Sequence, residues 1–153
     1  MNLKLRQIEE TQEDFERLVG LLTSFANEHE MGKLSGKNYN FEKGLGWIIN
    51  GIKTGGWVLL NEEDQMVGSI ALNLTSLWYS DQQYYADAWF YILPEYRKSK
   101  GAAALLSTAQ MFAEDKGLPL VMNIFNMENT EAKIKLLQRK GFKLIGGTFV
   151  SGE

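Results

Sequence analysis

Apolar and polar residues alternate from Leu3 to Ile8, which is the period of a half-buried strand. At Thr11 the period changes. Thr11 to Asp14 has the form of a capping box, and Phe15, Leu18, Val19, Leu22, Phe25 and Ala26 then recur at helical spacing, predicting an amphipathic helix. The polar stretch from Asn27 to Asn40, with Gly32 and Gly36, reads as a loop. A shorter helix is expected after Asn40, with Phe41, Leu45, Ile48, Ile49 and Ile52 along one side and Gly55-Gly56 as its stop. Trp57 to Leu60 and Met66 to Leu74 are strand-like runs on either side of Asn61-Glu62-Glu63-Asp64-Gln65. A third run, Tyr84 to Leu93, follows a polar tip near Ser80-Asp81, so the three together predict an antiparallel meander.

Beyond Pro94 the pattern is a charged turn, a helix along Ala102, Leu105, Leu106, Ala109, Phe112 and Ala113, a buried-type strand from Leu118 to Phe125, and a helix from Thr130 to Lys140. A strand, helix, strand, helix order implies one parallel pair. Phe142 to Ile145 and Thr148 to Ser151, joined by Gly146-Gly147, are expected to form a last short hairpin.

The length of 153 residues, 44% of them apolar, suits one domain with a single core system. No run approaches the roughly 20 apolar residues that cross a bilayer. The first residues interleave charge with apolar side chains instead of building a signal segment, so a cytoplasmic location and no membrane partner are expected. With no cysteine, disulfides, thiolate metal sites and a cysteine acyl-enzyme are excluded, and no metal site is expected. A formal charge of −3 opposes a general nucleic-acid binder, which gains affinity from clustered cations. Only Arg97, Lys98 and Lys100 form a local basic cluster.

Three segments carry a resemblance to a known family. The first is Phe90-Tyr91-Ile92-Leu93-Pro94-Glu95-Tyr96-Arg97-Lys98-Ser99-Lys100-Gly101-Ala102-Ala103. It resembles the strand end and acyl-CoA loop of the GNAT N-acetyltransferases, written [QR]-x-x-G-x-[GA]. Arg97 and Ala102 match, whereas Lys100 stands where glycine is usual. The second is Phe125-Asn126-Met127-Glu128-Asn129 with Ala132 and Gly141-Phe142, similar to the family's later strand, Asn and helix motif. The third is Met66-Val67-Gly68-Ser69-Ile70, similar to its hydrophobic-Gly-x-Ile strand.

The resemblance implies an α/β (α+β) fold: a single, mixed, mostly antiparallel twisted sheet of six to seven strands with about four flanking helices. It implies acetyl-CoA as co-substrate and transfer of the acetyl group to a primary amine of a small molecule or protein. In such a loop, backbone N–H groups at a helix N-terminus donate to the pyrophosphate. The residues so placed are Tyr91, Ile92, Leu93, Arg97, Lys98, Ser99, Lys100, Gly101, Ala102 and Ala103, with Asn126 and Asn129 beside the cofactor arm. For Asn129 the plain alternative is a helix N-cap, and for Gly141 a C′ residue. The tyrosine that the family often uses to protonate the departing thiolate is replaced by Leu137.

A primary ammonium must lose a proton before it attacks a thioester, and the developing oxyanion needs a donor. Asp87 stands where the histone-acetylating branch of the family has a glutamate base, so it is the candidate base; a solvent-facing strand-end carboxylate is the alternative. Period-two alternation puts Asp87, Trp89 and Tyr91 on one face, and Ala88, Phe90 and Ile92 on the other. In this fold, a main-chain N–H around Tyr91 to Leu93 would polarise the thioester carbonyl. Glu28 and His29, between the first two helices, and Trp89 are candidate substrate contacts, His29 with a surface role as the alternative. Trp78, Tyr79, Tyr84 and Tyr85 crowd the second hairpin, as partner contacts or as packing on a twisted sheet. The short C-terminus leaves one side of the acceptor cleft open or completed by a second copy in a homodimer. The competing reading is a GNAT-fold binding module that has lost catalysis, motivated by Lys100 and Leu137.

Overall fold

The computed structural model describes residues 2–29, 34–36, 39–125 and 129–152. Five strands form one sheet in the order β1-β2-β3-β4-β5. They are β1 (Lys4–Gln7), β2 (Gly56–Leu60), β3 (Met66–Ser76), β4 (Gln83–Ile92) and β5 (Leu120–Val121). All neighbours are antiparallel except β4 and β5, which form the expected parallel pair. Among the described residues four α-helices flank the sheet: α1 (Gln12–Glu28), α2 (Phe41–Thr54), α3 (Gly101–Asp115) and α4 (Thr130–Arg139).

The expected mixed α/β fold is present, with fewer strands than expected among the described residues. Strand β5 is two residues long: it pairs with Tyr85 and Ala86 alone, and past it the Asn123 N–H goes to the Asp87 side chain. The stretches Phe142 to Ile145 and Thr148 to Ser151 are not strands. A two-stranded hairpin with nothing to pack on gains too little burial to hold itself, and here Ile145 and Phe149 lie open to solvent.

Local chemistry sets the helix ends. Thr11 Oγ1 accepts the Asp14 N–H at the start of α1, as the capping pattern predicts. The Asp14 carboxylate does not reach back to Thr11; it accepts the Glu9 N–H at 2.8 Å and pairs with both guanidinium nitrogens of Arg6, at 2.6 and 2.8 Å. Asn40 caps α2 through the Lys43 N–H. Helix α4 ends on Gly141 at φ 92°, where the Phe142 N–H returns to the Leu137 carbonyl and the Gly141 N–H to that of Gln138, a Schellman closure.

The sheet separates two apolar layers. On one face Leu59, Val67, Ile70, Leu72, Leu105 and Leu106 pack β2 and β3 against α3. On the other, Leu18, Leu21, Ile48, Val58, Ala71 and Trp89 pack the sheet against α1 and α2. Two helix glycines come close to the sheet. A Cβ on Gly51 of α2 would stand 2.6 Å from the Trp89 ring, and one on Gly101 of α3 would stand 2.6 Å from Leu59 Cδ1.

Candidate active site

Strand β4 changes neighbours along its length. Tyr85 and Ala86 pair with Leu120 and Val121 of β5; beyond them no described strand lies along that edge, so β4 and β5 part as a wedge. The parting coincides with a β-bulge. Across from β3, Ala71 faces Trp89 and Leu72 faces Asp87, which leaves Ala88 as the extra residue.

The bulge reverses side-chain parity. Tyr85 packs in the α3 layer, and Asp87, opposite Leu72, projects to that same face; Trp89 and Tyr91 project to the α1 and α2 face. The expectation that Asp87, Trp89 and Tyr91 share one face is therefore corrected. Uninterrupted alternation assumes one residue per register position, and Ala88 breaks the count.

Asp87 stands at the apex of the wedge. Its Oδ1 accepts both the Asn123 N–H, at 2.9 Å, and the Asn123 Nδ2, at 3.0 Å, just past β5. Its second oxygen takes no bond from another described residue. Burial raises the carboxyl's pKa above its ordinary value, against the smaller opposing effect of the Asn123 donors. Asn123 is a site residue that sequence reasoning missed: it lies in a run expected to be ordinary strand, and no spacing marks it.

Beyond the bulge the Leu93 N–H donates to Val67 O at 2.9 Å, toward β3. Alternation then turns the N–H groups of Phe90 and Ile92 toward the wedge, and that of Tyr91 toward β3. Of the three amides expected near the thioester, Ile92 alone faces the opening. Its carbonyl accepts Arg97 Nε at 3.0 Å.

Pro94–Tyr96 forms a 3-10 turn, and Arg97 to Lys100 lead into α3. Ser99 Oγ donates to the Tyr96 carbonyl and accepts the Gly101 N–H at 3.2 Å. Among the described residues, the N–H groups of Lys98, Lys100, Ala102 and Ala103 have no protein acceptor. Lys100 sits at φ −78°, a conformation open to any residue, so its place in the motif does not require glycine. Gly101 is the position that does, because of Leu59.

Arg97 is turned away from these amides. Its guanidinium contacts Glu28 at 2.6 Å and lies 5.6 Å from the centre of the Tyr91 ring. The Tyr91 hydroxyl donates to the same carboxylate at 2.6 Å. Burial works to raise the Glu28 pKa, but the Tyr91 and Arg97 bonds outweigh it and hold the carboxyl below its ordinary range. Burial and the Glu28 carboxylate push the Tyr91 hydroxyl pKa well up. His29 stacks on Phe25 at 4.7 Å and contacts the Phe25 carbonyl through Nδ1 at 3.0 Å. Glu28 and His29 thus form a structural node where α1 meets β4.

The other candidates divide. Trp89 is 4% exposed, beneath α2, with its Nε1 donating to buried Ser69 Oγ, so it is a core residue and not a surface contact. Asn129 stands at the N-cap position of α4 in a left-handed conformation, without a side-chain capping bond. Asn126 lies outside the described residues. Trp78 and Tyr79 stand exposed at the β3–β4 tip, while Tyr85 is core. Sequence reasoning also missed Trp47, whose indole N–H donates to the carbonyl of bulge residue Ala88 at 2.9 Å. A groove of about 450 Å³ between α1 and the β2–β3 turn, reaching Leu93, does not include Asp87 or Ala88. Among the described residues no acidic, cysteine or histidine group is arranged to hold a metal, and no helix is long and apolar enough to cross a membrane.

Residues 53–144 match the model of the GNAT acetyltransferase domain, well over half of the chain. No curated protein matches the chain by sequence. Solved structures share the fold. The acetyltransferase AAC(6')-Iy, in complex with the bisubstrate analogue CoA-S-monomethyl-acetylneamine, aligns with a TM-score of 0.70 at 13% identity, covering 100% of this chain and 99% of that one. Naa50 of Arabidopsis thaliana, bound to the bisubstrate analogue CoA-Ac-MVNAL, gives 0.68 at 18% identity over 95% and 86% of the two chains. An acetyltransferase of Trypanosoma brucei gives 0.69 at 16% identity over 99% and 100%.

Proposed function

Because the chain belongs to the GNAT acetyltransferase family, we propose that it transfers an acetyl group from acetyl-CoA directly to a primary amine, of a small molecule or a protein, within a ternary complex. The observation that carries this reading is the wedge between β4 and β5, with a raised-pKa carboxylate at its apex and free amides at its mouth. The Lys98, Lys100, Ala102 and Ala103 N–H groups fit a pyrophosphate, since unpaired donors at a helix start favour anions. Bound acetyl-CoA supplies the electrophilic thioester.

In the reaction Asp87, through its uncommitted oxygen and directly or by way of one water, takes the proton from the acceptor ammonium. The freed lone pair forms the C–N bond at the carbonyl carbon, and the C–S bond breaks. The Phe90 or Ile92 N–H steadies the oxyanion that develops between these events. The CoA sulfur leaves with the bonding pair, and the second proton, shed by the attacking nitrogen once the C–N bond has formed, passes by way of water to the thiolate; a thiol pKa of about 8.5 makes a dedicated acid unnecessary. Leu137, where the family often has a tyrosine, is consistent with that.

The test is Asp87→Asn with two readouts. Turnover, followed by release of the CoA thiol, should fall by roughly 100-fold or more, the usual contribution of a positioned base. Acetyl-CoA affinity by calorimetry should stay as in the wild type. Undiminished turnover would remove Asp87 from the role, and wild-type protein that binds acetyl-CoA without turnover on any amine would favour the non-catalytic module.

A further inference from the structure

Along one stripe of helix α2, contact with the sheet differs between its two ends. Gly44, Trp47 and Gly51 stand at spacings of three and four residues, on one stripe of the helix. At Gly51 the helix touches the sheet so closely that a Cβ would meet the Trp89 ring at 2.6 Å. At Gly44, two turns earlier on the same stripe, a Cβ would meet nothing within 4 Å among the described residues. A glycine inside a helix destabilises it by about 1 kcal/mol relative to alanine, and among the described residues no packing neighbour at Gly44 offsets that.

Between the two glycines stands Trp47. Its indole is about half exposed, at 51%, yet it is fixed in orientation by donating to Ala88 O at 2.9 Å. Ala88 is the bulge residue where the wedge opens, next to Asp87. The phosphate-ready amides lie at the start of α3, which packs on the opposite face of the sheet. An acyl group threaded from those amides to the bulge is then open from the α1 and α2 face to an acceptor whose ammonium reaches Asp87, on the other face, across the bulge by way of one water.

We propose that Trp47 is the platform on which the acceptor rests, with Gly44 providing clearance beside it, and that it selects a primary amine borne on a flat, unsaturated body. The proposal rests on the acetyl-transfer reading and adds the acceptor class to it. A rigid, hydrogen-bonded indole offers an apolar face that favours stacked or edge-on rings over saturated ones. Trp47 touches the body of the acceptor and takes no part in proton movement.

The probes are 2-phenylethylamine and 2-cyclohexylethylamine, equal in carbon number and differing in flatness, titrated calorimetrically into the protein with and without saturating CoA. The wild type should prefer the aromatic amine by roughly three- to tenfold, the scale of one stacking contact. Trp47→Ala should erase that preference, Trp47→Phe should keep most of it, and Gly44→Leu should weaken both amines, all three retaining acetyl-CoA affinity. Equal binding of the two amines by the wild type, or a preference that survives Trp47→Ala, overturns the proposal. These titrations need no turnover. A Trp47-dependent preference without acetyl transfer would sink the catalytic reading and leave the platform, while turnover on amines without ring preference would do the reverse.

Discussion

Asp87 illustrates how one carboxylate can serve function at the expense of stability. Its pKa is raised in the folded state by burial, so between its unfolded value, about 3.9, and the raised folded value the native protein holds more protons than the unfolded chain. Stability therefore falls as pH climbs through that window, and above it the whole penalty is present. Asp87→Asn keeps an acceptor for the Asn123 donors and removes the charge. Its thermal midpoint should exceed that of the wild type at pH 7, and the gain should vanish near pH 3; a lower midpoint at pH 7 would show that the ionised carboxylate stabilises the fold. The same raised pKa sets the activity profile. The wild-type kcat/KM should rise with pH through a value above that of a free carboxyl, and the residual activity of Asp87→Asn should lack that step.

At the scale of elements, the site depends on how closely α3 approaches β2. A methyl at Gly101 would fall 2.6 Å from Leu59 Cδ1 and 3.2 Å from Leu3 Cδ1, so Gly101→Ala must displace buried Leu59 or push the first turn of α3 outward. Overpacking of this kind costs about 1–3 kcal/mol, and since the same turn carries the free Ala102 and Ala103 amides, acetyl-CoA affinity should fall together with the denaturation midpoint. An affinity loss without a stability loss would argue against the steric account. The elements were largely legible in the sequence because their signals are local: apolar spacing for the helices, the Asn61 to Gln65 turn for the hairpin, Gly141 for the end of α4. The terminal hairpin and most of β5 were not, because a strand exists only with a partner and the partner's geometry is not local. Of the candidate site, the loop and Asp87 were named through the resemblance to the GNAT motifs, which contiguous residues carry. The face of Asp87, the Asn123 clasp, the Arg97 to Glu28 pairing and the Trp47 bond could not be read in the sequence, since each depends on the bulge or on contacts between distant segments.

For the whole molecule, one sheet serves two apolar layers, and neither layer has a boundary of its own. Leu18 in one and Leu105 in the other are both fully buried. Leu18→Ala and Leu105→Ala should each lower stability by about 2–5 kcal/mol, and each should shift the far-ultraviolet and near-ultraviolet dichroism transitions together, as expected of one cooperative unit. Separate transitions in either variant would mean that the layers unfold independently. The bulge at Ala88 also bears on which insertions and deletions this strand can survive. Deleting Ala88 alone would set Asp87 next to Trp89 with Leu72 and Ala71 still opposite them, so every side chain from Gln83 to Asp87 would keep its face, while the carbonyl that holds the Trp47 indole would be lost. A single residue can thus be lost at this point without turning the strand over, whereas one lost at a paired position would exchange inside for outside along one arm of the strand.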